Sequence, residues 1–198
     1  ASLTVAAYGS YYRIGVSEAP GLPFATVLAT AVALGAPAIR VWAGDRSSAT
    51  TSAAQRAAIV ADAQRVATLA APCGVRVLSE WHGDTLTDAA TSGHDFLRAV
   101  NHANFATVWQ PGIGLTTEAA VAELTAVLPW VEHLHVFHWR QYERRPLSDG
   151  IAAWRQYLAL AATTGNVRSA ALEFVRDDDP AHLLPDALTL MRLLKEIA

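Results

Sequence analysis

The chain has 198 residues, of which 52% are hydrophobic and 17% are charged. Disordered proteins show the opposite balance, so these proportions predict a compact globular chain and exclude a disordered one. The formal net charge of −3 provides no basic surface of the kind that binds nucleic acid or anionic lipid. We therefore expect no nucleic acid and no membrane among its partners.

The cysteine content and the N-terminal residues indicate the compartment. A single cysteine, Cys73, excludes an intrachain disulfide and is typical of a reducing compartment. The N-terminus lacks the basic stretch followed by an apolar run that marks a signal peptide. No apolar stretch reaches the roughly 18 residues that a membrane span requires. We therefore expect a cytoplasmic protein with one domain over residues 1–198.

Short apolar segments alternate along the chain with longer Ala- and Leu-rich segments of helical spacing. Short apolar runs bounded by turn residues are typical of strands buried on both faces. Six strands are predicted, at residues 3–8, 38–42, 75–80, 105–110, 133–139 and 169–175, with a short seventh around 145–147. Helices are predicted at residues 24–34, 52–71, 117–128, 151–163 and 185–197.

Strict alternation of strand and helix indicates the α/β class, with parallel strands joined by helical crossovers. Two architectures have this pattern, an open doubly wound sheet and a closed (β/α)8 TIM barrel. A nucleotide-binding open sheet would carry a G-x-G-x-x-G loop after a strand, and Gly112-Ile113-Gly114 lacks the third glycine. The positions of the polar residues favour the barrel.

A polar side chain lies at or near the end of four predicted strands. These residues are Glu80, Gln110, His135 and Glu173. In a (β/α)8 barrel such strand ends converge on one mouth, where active sites are found. Two carboxylates, one imidazole and one amide supply the oxygen and nitrogen ligands that suit Mn, Mg or Co, with Zn as the alternative.

Taken singly, each of these residues has a structural interpretation. A glutamate at a strand end is usually the first solvated residue, and a lone histidine more often fills a hydrogen-bonded core position. Four such residues on four strands are harder to explain in this way, so the sequence predicts a divalent-metal site. Glu80 and His82 are two residues apart, so both point to the same face of the strand.

The chain resembles the xylose isomerase-like TIM barrels, a family of sugar phosphate isomerases and epimerases. The motifs that carry the resemblance are Glu80-x-His82, then His133-Leu134-His135-Val136 followed by Arg140, Gly150 and Trp154, and finally Leu172-Glu173-Phe174-Val175. The last two are similar to stretches of the tagatose 3-epimerase-like enzymes. The resemblance implies a divalent metal bound by Glu, Asp, His and Glu, and the matching positions are Glu80, Gln110, His135 and Glu173.

The chain departs from the family pattern in two ways. Gln110 stands where the family has Asp, and Ile113 stands where His often follows. A neutral amide removes one negative charge, which should weaken the binding of a hard dication. Only about seven of the family's eight strands are found, so we expect the first β-α unit to be missing. The strand edges exposed by such a gap would invite pairing with another chain. We therefore expect either a longer native protein that carries the first strand or a homo-oligomer in which a neighbouring subunit covers the edge.

The activity implied by the resemblance is a metal-dependent isomerisation or epimerisation of a small sugar or sugar phosphate. Glu80 and Glu173 would remove and return the proton beside a metal-polarised carbonyl, through an enediolate. The predicted substrate contacts are His82, Arg140, Trp42 and Trp109. Two alternatives stay open: a catalytically degenerate sugar-binding barrel, and an endonuclease IV-like nuclease, against which the acidic net charge argues.

Overall fold

The structure, a computed structural model, describes residues 3–197, which pack as two compact units. Unit 1 runs to Val108 and unit 2 begins at Trp109. The predicted single domain also includes residues 1, 2 and 198, which lie outside the described residues. A single domain over the whole chain stays a prediction.

Unit 1 contains four parallel strands in chain order, and three helices. The strands are β1 (Tyr8–Arg13), β2 (Ala38–Trp42), β3 (Arg76–Glu80) and β4 (Phe105–Trp109), of which the last residue belongs to unit 2. The helices are α1 (Phe24–Ala33), α2 (Ala53–Ala70) and α3 (Ala90–Val100). β3 and β4 are buried along nearly their whole length, as expected of strands covered on both faces.

The strand pairing of unit 1 brings particular residues to one edge of the sheet. Arg13 pairs with Trp42, and Glu80 pairs with Val108. Because the strands are parallel, their carboxyl ends meet at a common edge. Arg13, Trp42 and Glu80, each the last residue of its strand, therefore lie along that edge.

The first strand lies later in the chain than predicted. Residues 3–7 form no regular structure, with Leu3 94% exposed, and β1 begins at Tyr8 rather than at residue 3. Within β1 the buried residues Ser10 and Tyr12 alternate with exposed neighbours, and the Ser10 hydroxyl donates to the carbonyl of Arg40 over 2.6 Å. The position of β1 is therefore marked by its alternating burial and its cross-strand hydrogen bond, and not by the apolar residues 3–7 that precede it.

Helix α3 is not among the predicted helices. Its first two turns include Thr91, Ser92 and Gly93, all of which form helices less readily than alanine. Gly93 has a packing role, since a Cβ at this position would overlap the buried ring of Trp81. Close packing against the end of β3 thus overrides the weak local preference for a helix.

Unit 2 contains a parallel pair of strands, a hairpin and three helices. The parallel pair is β5 (Val131–Val136) and β8 (Ser169–Leu172), and the antiparallel hairpin is β6 (His138–Arg140) and β7 (Glu143–Arg145). The helices are α4 (Thr117–Val127), α5 (Ile151–Ala162) and α6 (Leu183–Ile197). None of the helices within residues 3–197 has the length and apolar content needed to cross a lipid bilayer.

Two strand predictions for unit 2 are corrected by the structure. The predicted strand at residues 133–139 is two elements, β5 and β6, which belong to different sheets. The short strand predicted around 145–147 is β7, which pairs with β6 and ends before Pro146, a residue with no N–H for the ladder. The described residues therefore carry six parallel strands rather than seven.

The segment that follows β5 is fixed by two residues of the epimerase-like motif. Trp154 of α5 is buried, and its indole N–H donates to the carbonyl of Phe137 over 2.7 Å. Gly150 lies against His138, where a Cβ would come within 2.6 Å of the ring Nδ1. Trp154 and Gly150 thus hold the backbone just beyond the strand end that carries His135.

Candidate metal centre

Glu80 is a buried carboxylate at the end of β3, with 1% of the residue exposed. Its Oε2 accepts a hydrogen bond from the indole N–H of Trp42 over 2.5 Å. The same oxygen lies 3.3 Å from Nε of Arg40, whose side chain is 17% exposed. A carboxylate out of water needs such partners, so Arg40 and Trp42 compensate for the burial of Glu80 and fix its orientation.

Cationic and aromatic side chains surround the ring of Trp42. The guanidinium carbons of Arg13 and Arg40 lie 4.5 Å and 4.8 Å from its centroid, distances at which a cation is attracted to the ring. The rings of His82 and Tyr11 lie 5.2 Å and 5.4 Å from it, centroid to centroid. We call Tyr11, Arg13, Arg40, Trp42 and His82 the Trp42 cluster.

In unit 2, three of the predicted ligands come together. Nδ1 of His135 lies 3.0 Å from Oε1 of Gln110 and 3.5 Å from Oε1 of Glu173. Glu173 directly follows β8, and its backbone N–H donates to the carbonyl of Val136 over 3.2 Å. The pairing of β5 with β8 therefore positions the Glu173 side chain beside His135.

Glu173 is held less tightly than Glu80. Its side chain is 23% exposed, and its Oε2 is buried without a hydrogen-bond partner among the described residues. Buried polar atoms are normally satisfied, so an unpaired carboxylate oxygen marks a place where a proton, a metal ion or a ligand atom would bind.

Within unit 2, His135 and Glu173 offer an imidazole nitrogen and a carboxylate oxygen 3.5 Å apart. Within unit 1, Glu80 offers a buried carboxylate, and its place in a shared set of ligands stays a prediction. Carboxylate oxygens and imidazole nitrogens are common ligands of Mg, Mn and Zn. Gln110, through the Oε1 that lies beside His135, would add a neutral oxygen. The unpaired oxygen of Glu173 and the chemistry of this donor set fit a divalent cation.

Three of the four predicted substrate contacts, Trp42, His82 and Arg140, are at least partly exposed. Trp42 and His82 belong to the Trp42 cluster, with His82 exposed and its ring next to that of Trp42. Arg140 is exposed at the end of β6, where it pairs with Glu143 across the hairpin. Their contact with a substrate stays a prediction.

Trp109, the fourth predicted substrate contact, is fully buried in unit 2, and its ring packs edge-on against Tyr157 of α5, with centroids 5.3 Å apart. Its contact with a substrate likewise stays a prediction.

Arg13 and Arg40 are not among the predicted site residues. Arg40 lies inside an apolar strand, where an arginine is rarely buried unless it is paired. It is also two residues before Trp42, which places both side chains on one face. That signal was available in the sequence, whereas Arg13 ends β1, a strand that the sequence places too early, at residues 3–8.

No family model matches the chain. Among curated proteins, the chain is similar to a 3-dehydroshikimate dehydratase of Bacillus anthracis, with 31% identity over 103 residues. The matched segment covers 49% of this chain and 35% of the dehydratase, so it spans about a third of that protein's length.

Solved structures similar to this chain are TIM barrels. The probable 3-DHS dehydratase AsbF of Bacillus anthracis has a TM-score of 0.76 and 21% identity, covering 96% of this chain and 77% of that one. A xylose isomerase-like TIM barrel protein from Mycobacterium smegmatis, in complex with magnesium, has a TM-score of 0.67 and 15% identity, covering 87% and 66%. A D-tagatose 3-epimerase-like protein has a TM-score of 0.68 and 12% identity, covering 86% and 67%. These likenesses confirm the predicted TIM-barrel fold and the resemblance to xylose isomerase-like barrels.

Proposed function

We propose that this chain binds a divalent metal ion and transfers a proton beside the carbonyl group of a small hydroxylated substrate. The proposed ligands are Glu80, Gln110, His135 and Glu173. The observation that carries the proposal is that His135 of unit 2 lies beside Gln110 and beside Glu173, whose Oε2 has no hydrogen-bond partner among the described residues. Glu80, the ligand proposed from unit 1, is likewise at the carboxyl end of a buried parallel strand. In TIM-barrel enzymes active sites lie at that end of the strands, and one solved neighbour is a magnesium complex.

A bound dication would polarise the substrate carbonyl and stabilise the negative charge that develops on its oxygen. Glu173 is the residue that we assign to proton transfer, because its Oε2 is buried and has no hydrogen-bond partner among the described residues.

Glu80 has a different role in this proposal. The sequence predicts it as the second proton-transfer residue, but its Oε2 already accepts from Trp42 and lies beside Arg40. An oxygen that two donors already occupy is not free to contact a C–H bond of a substrate. We therefore assign Glu80 to holding the metal ion, with Arg40 and Trp42 as positioning residues.

Two reaction classes follow from proton removal by Glu173. In an isomerisation or epimerisation, the proton is returned to carbon and no atom is lost. In a dehydration, the C–H proton passes to Glu173, the neighbouring C–O bond breaks, and the hydroxide leaves as water after it gains a proton. We propose the sugar isomerase or epimerase class, which the motifs favour. Dehydration is the second candidate because of the 31% identity with a 3-dehydroshikimate dehydratase.

The experiment that tests the proposal is exchange of the substrate's carbon-bound proton with deuterated water, followed by NMR. The panel contains ketoses, ketose phosphates and 3-dehydroshikimate, each with and without Mn, Mg or Co. We expect exchange that requires the metal, and the products separate isomerisation from dehydration. If no compound exchanges or loses water with any metal, the proposal is wrong and the degenerate sugar-binding barrel becomes the better interpretation.

A further inference from the structure

Arg13 is a half-buried cation without an anionic partner in the part of the chain that the structure describes. It is the last residue of β1, and its Nη1 donates to the carbonyl of Gly44 over 3.3 Å. Its guanidinium also lies against the ring of Trp42. Among residues 3–197, no Asp or Glu lies within ion-pair distance of it. Arg13 therefore brings an uncompensated positive charge to the carboxyl edge of unit 1.

A second guanidinium, that of Arg40, shares the Trp42 ring with Arg13. Its charge is balanced by Glu80, whose Oε2 lies 3.3 Å from its Nε. The two arginines and the one carboxylate leave a single unbalanced positive charge. Guanidinium groups are weakly hydrated and offer several N–H donors in a planar fork, so they favour carboxylate and phosphate groups as ligands.

The Trp42 cluster is accessible to a small molecule from solvent. Tyr11 at its margin is 75% exposed, and His82 on the other side of the ring is exposed as well. Between them, the aromatic faces exclude water from part of the guanidinium surface, which strengthens an ionic contact made there. An uncharged side chain at residue 13 could pack against Trp42 equally well, so packing alone does not explain the charge of Arg13.

We infer that Arg13, with Arg40 and Trp42, binds an anionic group of the substrate, a carboxylate or a phosphate, at the carboxyl edge of unit 1. The inference rests on the proposed function, because Arg40 and Trp42 contact the proposed metal ligand Glu80.

Three probes with a common six-carbon frame test this inference: D-fructose, D-fructose 6-phosphate and 5-keto-D-gluconate. Their affinities for the full chain are measured by titration calorimetry, with and without Mg. We expect one or both charged probes to bind roughly 10- to 100-fold more tightly than D-fructose. This is the gain in affinity that one charge-assisted hydrogen bond typically contributes. The comparison of the phosphate with the carboxylate identifies which anion the site prefers.

The matched variants are Arg13→Gln and Arg98→Gln, which remove the same charge from unit 1. Arg98 is exposed on α3 and belongs to neither proposed site. Arg13→Gln should lose the preference for the charged probes and keep its affinity for D-fructose, whereas Arg98→Gln should keep both. Equal affinity of the wild-type chain for all three probes, or an unchanged preference in Arg13→Gln, overturns the inference.

Circular dichroism shows whether Arg13→Gln folds. If it does not, Arg13→Lys keeps the charge, and the preference of both this variant and the wild type should fall as NaCl is raised from about 0.01 M to 1 M. A preference that is independent of salt contradicts an ionic contact. The two proposals can fail separately. Proton exchange on neutral ketoses without any preference for the charged probes would contradict the anion site and leave the proposed function standing. A preference for the charged probes without proton exchange would contradict the proposed function.

Discussion

The strand ends of unit 1 and unit 2 each present a glutamate, and the two side chains are held in opposite ways. In unit 1, Glu80 is buried, and one of its oxygens contacts both Trp42 and Arg40. In unit 2, Glu173 lies just past β8, half-buried, with one oxygen that has no hydrogen-bond partner in residues 3–197. A common position at a strand end therefore does not give a common role. The neighbouring side chains decide whether a carboxylate is fixed or can exchange a proton.

Replacing Glu173 by Gln should have the largest effect. The amide keeps the size of the side chain but cannot take up a proton, so metal-dependent exchange should fall about 10²- to 10⁴-fold. NMR exchange rates at saturating Mn measure this. Glu196→Gln, an exchange of the same kind on α6, should leave the rate unchanged. A loss of less than about tenfold would place the proton-transfer group elsewhere.

Replacing Arg40 by Met tests the way in which Glu80 is held. The variant keeps the apolar stem but leaves a buried carboxylate without its cation, so we expect a loss of roughly 3 kcal/mol in the free energy of unfolding, near the low end for buried pairs. Urea unfolding measures this loss. The double variant Arg40→Met with Glu80→Gln should be destabilised by less than the sum of the single variants, because both charges are then absent. Strict additivity would show that the pair does not interact.

Replacing Gln110 by Asp should tighten Mn binding, since a hard cation prefers a carboxylate oxygen. We expect roughly a tenfold gain in affinity, in line with the effect of ligand charge at oxygen-ligated sites. Titration calorimetry compares the variant with the wild type and with Gln156→Asp, which adds the same charge at an exposed position on α5. Equal or weaker binding by Gln110→Asp would mean that residue 110 does not contact the metal.

The smallest expected effect is a pH dependence in unit 2. Burial lowers the pKa of His133 below its ordinary value of 6.5. The unfolded chain then binds this proton more readily than the folded chain, so stability is highest above about pH 6.5 and falls as the pH decreases towards the folded pKa. Melting temperatures between about pH 7.5 and pH 5 should decline for the wild type and less steeply for His133→Gln. Identical slopes would show that His133 does not contribute.

Most of the strand ends that carry the site could be predicted from the sequence. An apolar run ending in a polar residue is a local pattern, and it predicts that Glu80 and Glu173 lie at or near strand ends. Glu80 is the last residue of β3, and Glu173 follows β8, which ends at Leu172 rather than at residue 175. The position of β1 could not be found in this way, because its burial alternates and the preceding apolar residues are exposed.

The difference between the surroundings of Glu80 and those of Glu173 could not be predicted from the sequence either. It depends on contacts between strands, such as that of Trp42 with Glu80, which are 38 residues apart in the chain. Arg13 reaches the Trp42 ring only through the pairing of β1 with β2. Local patterns identify which residues end a strand, whereas the partners of those residues are set by the sheet.

An anomalous scattering map from crystals of the full chain soaked in Mn tests the metal centre most directly. We predict one strong peak, with oxygens of Glu80 and Glu173 and a nitrogen of His135 within about 2.0–2.6 Å of it. The Glu80 oxygen at the metal should be the one that does not accept from Trp42. No peak beside these residues, or a peak that contacts neither glutamate, would contradict the account.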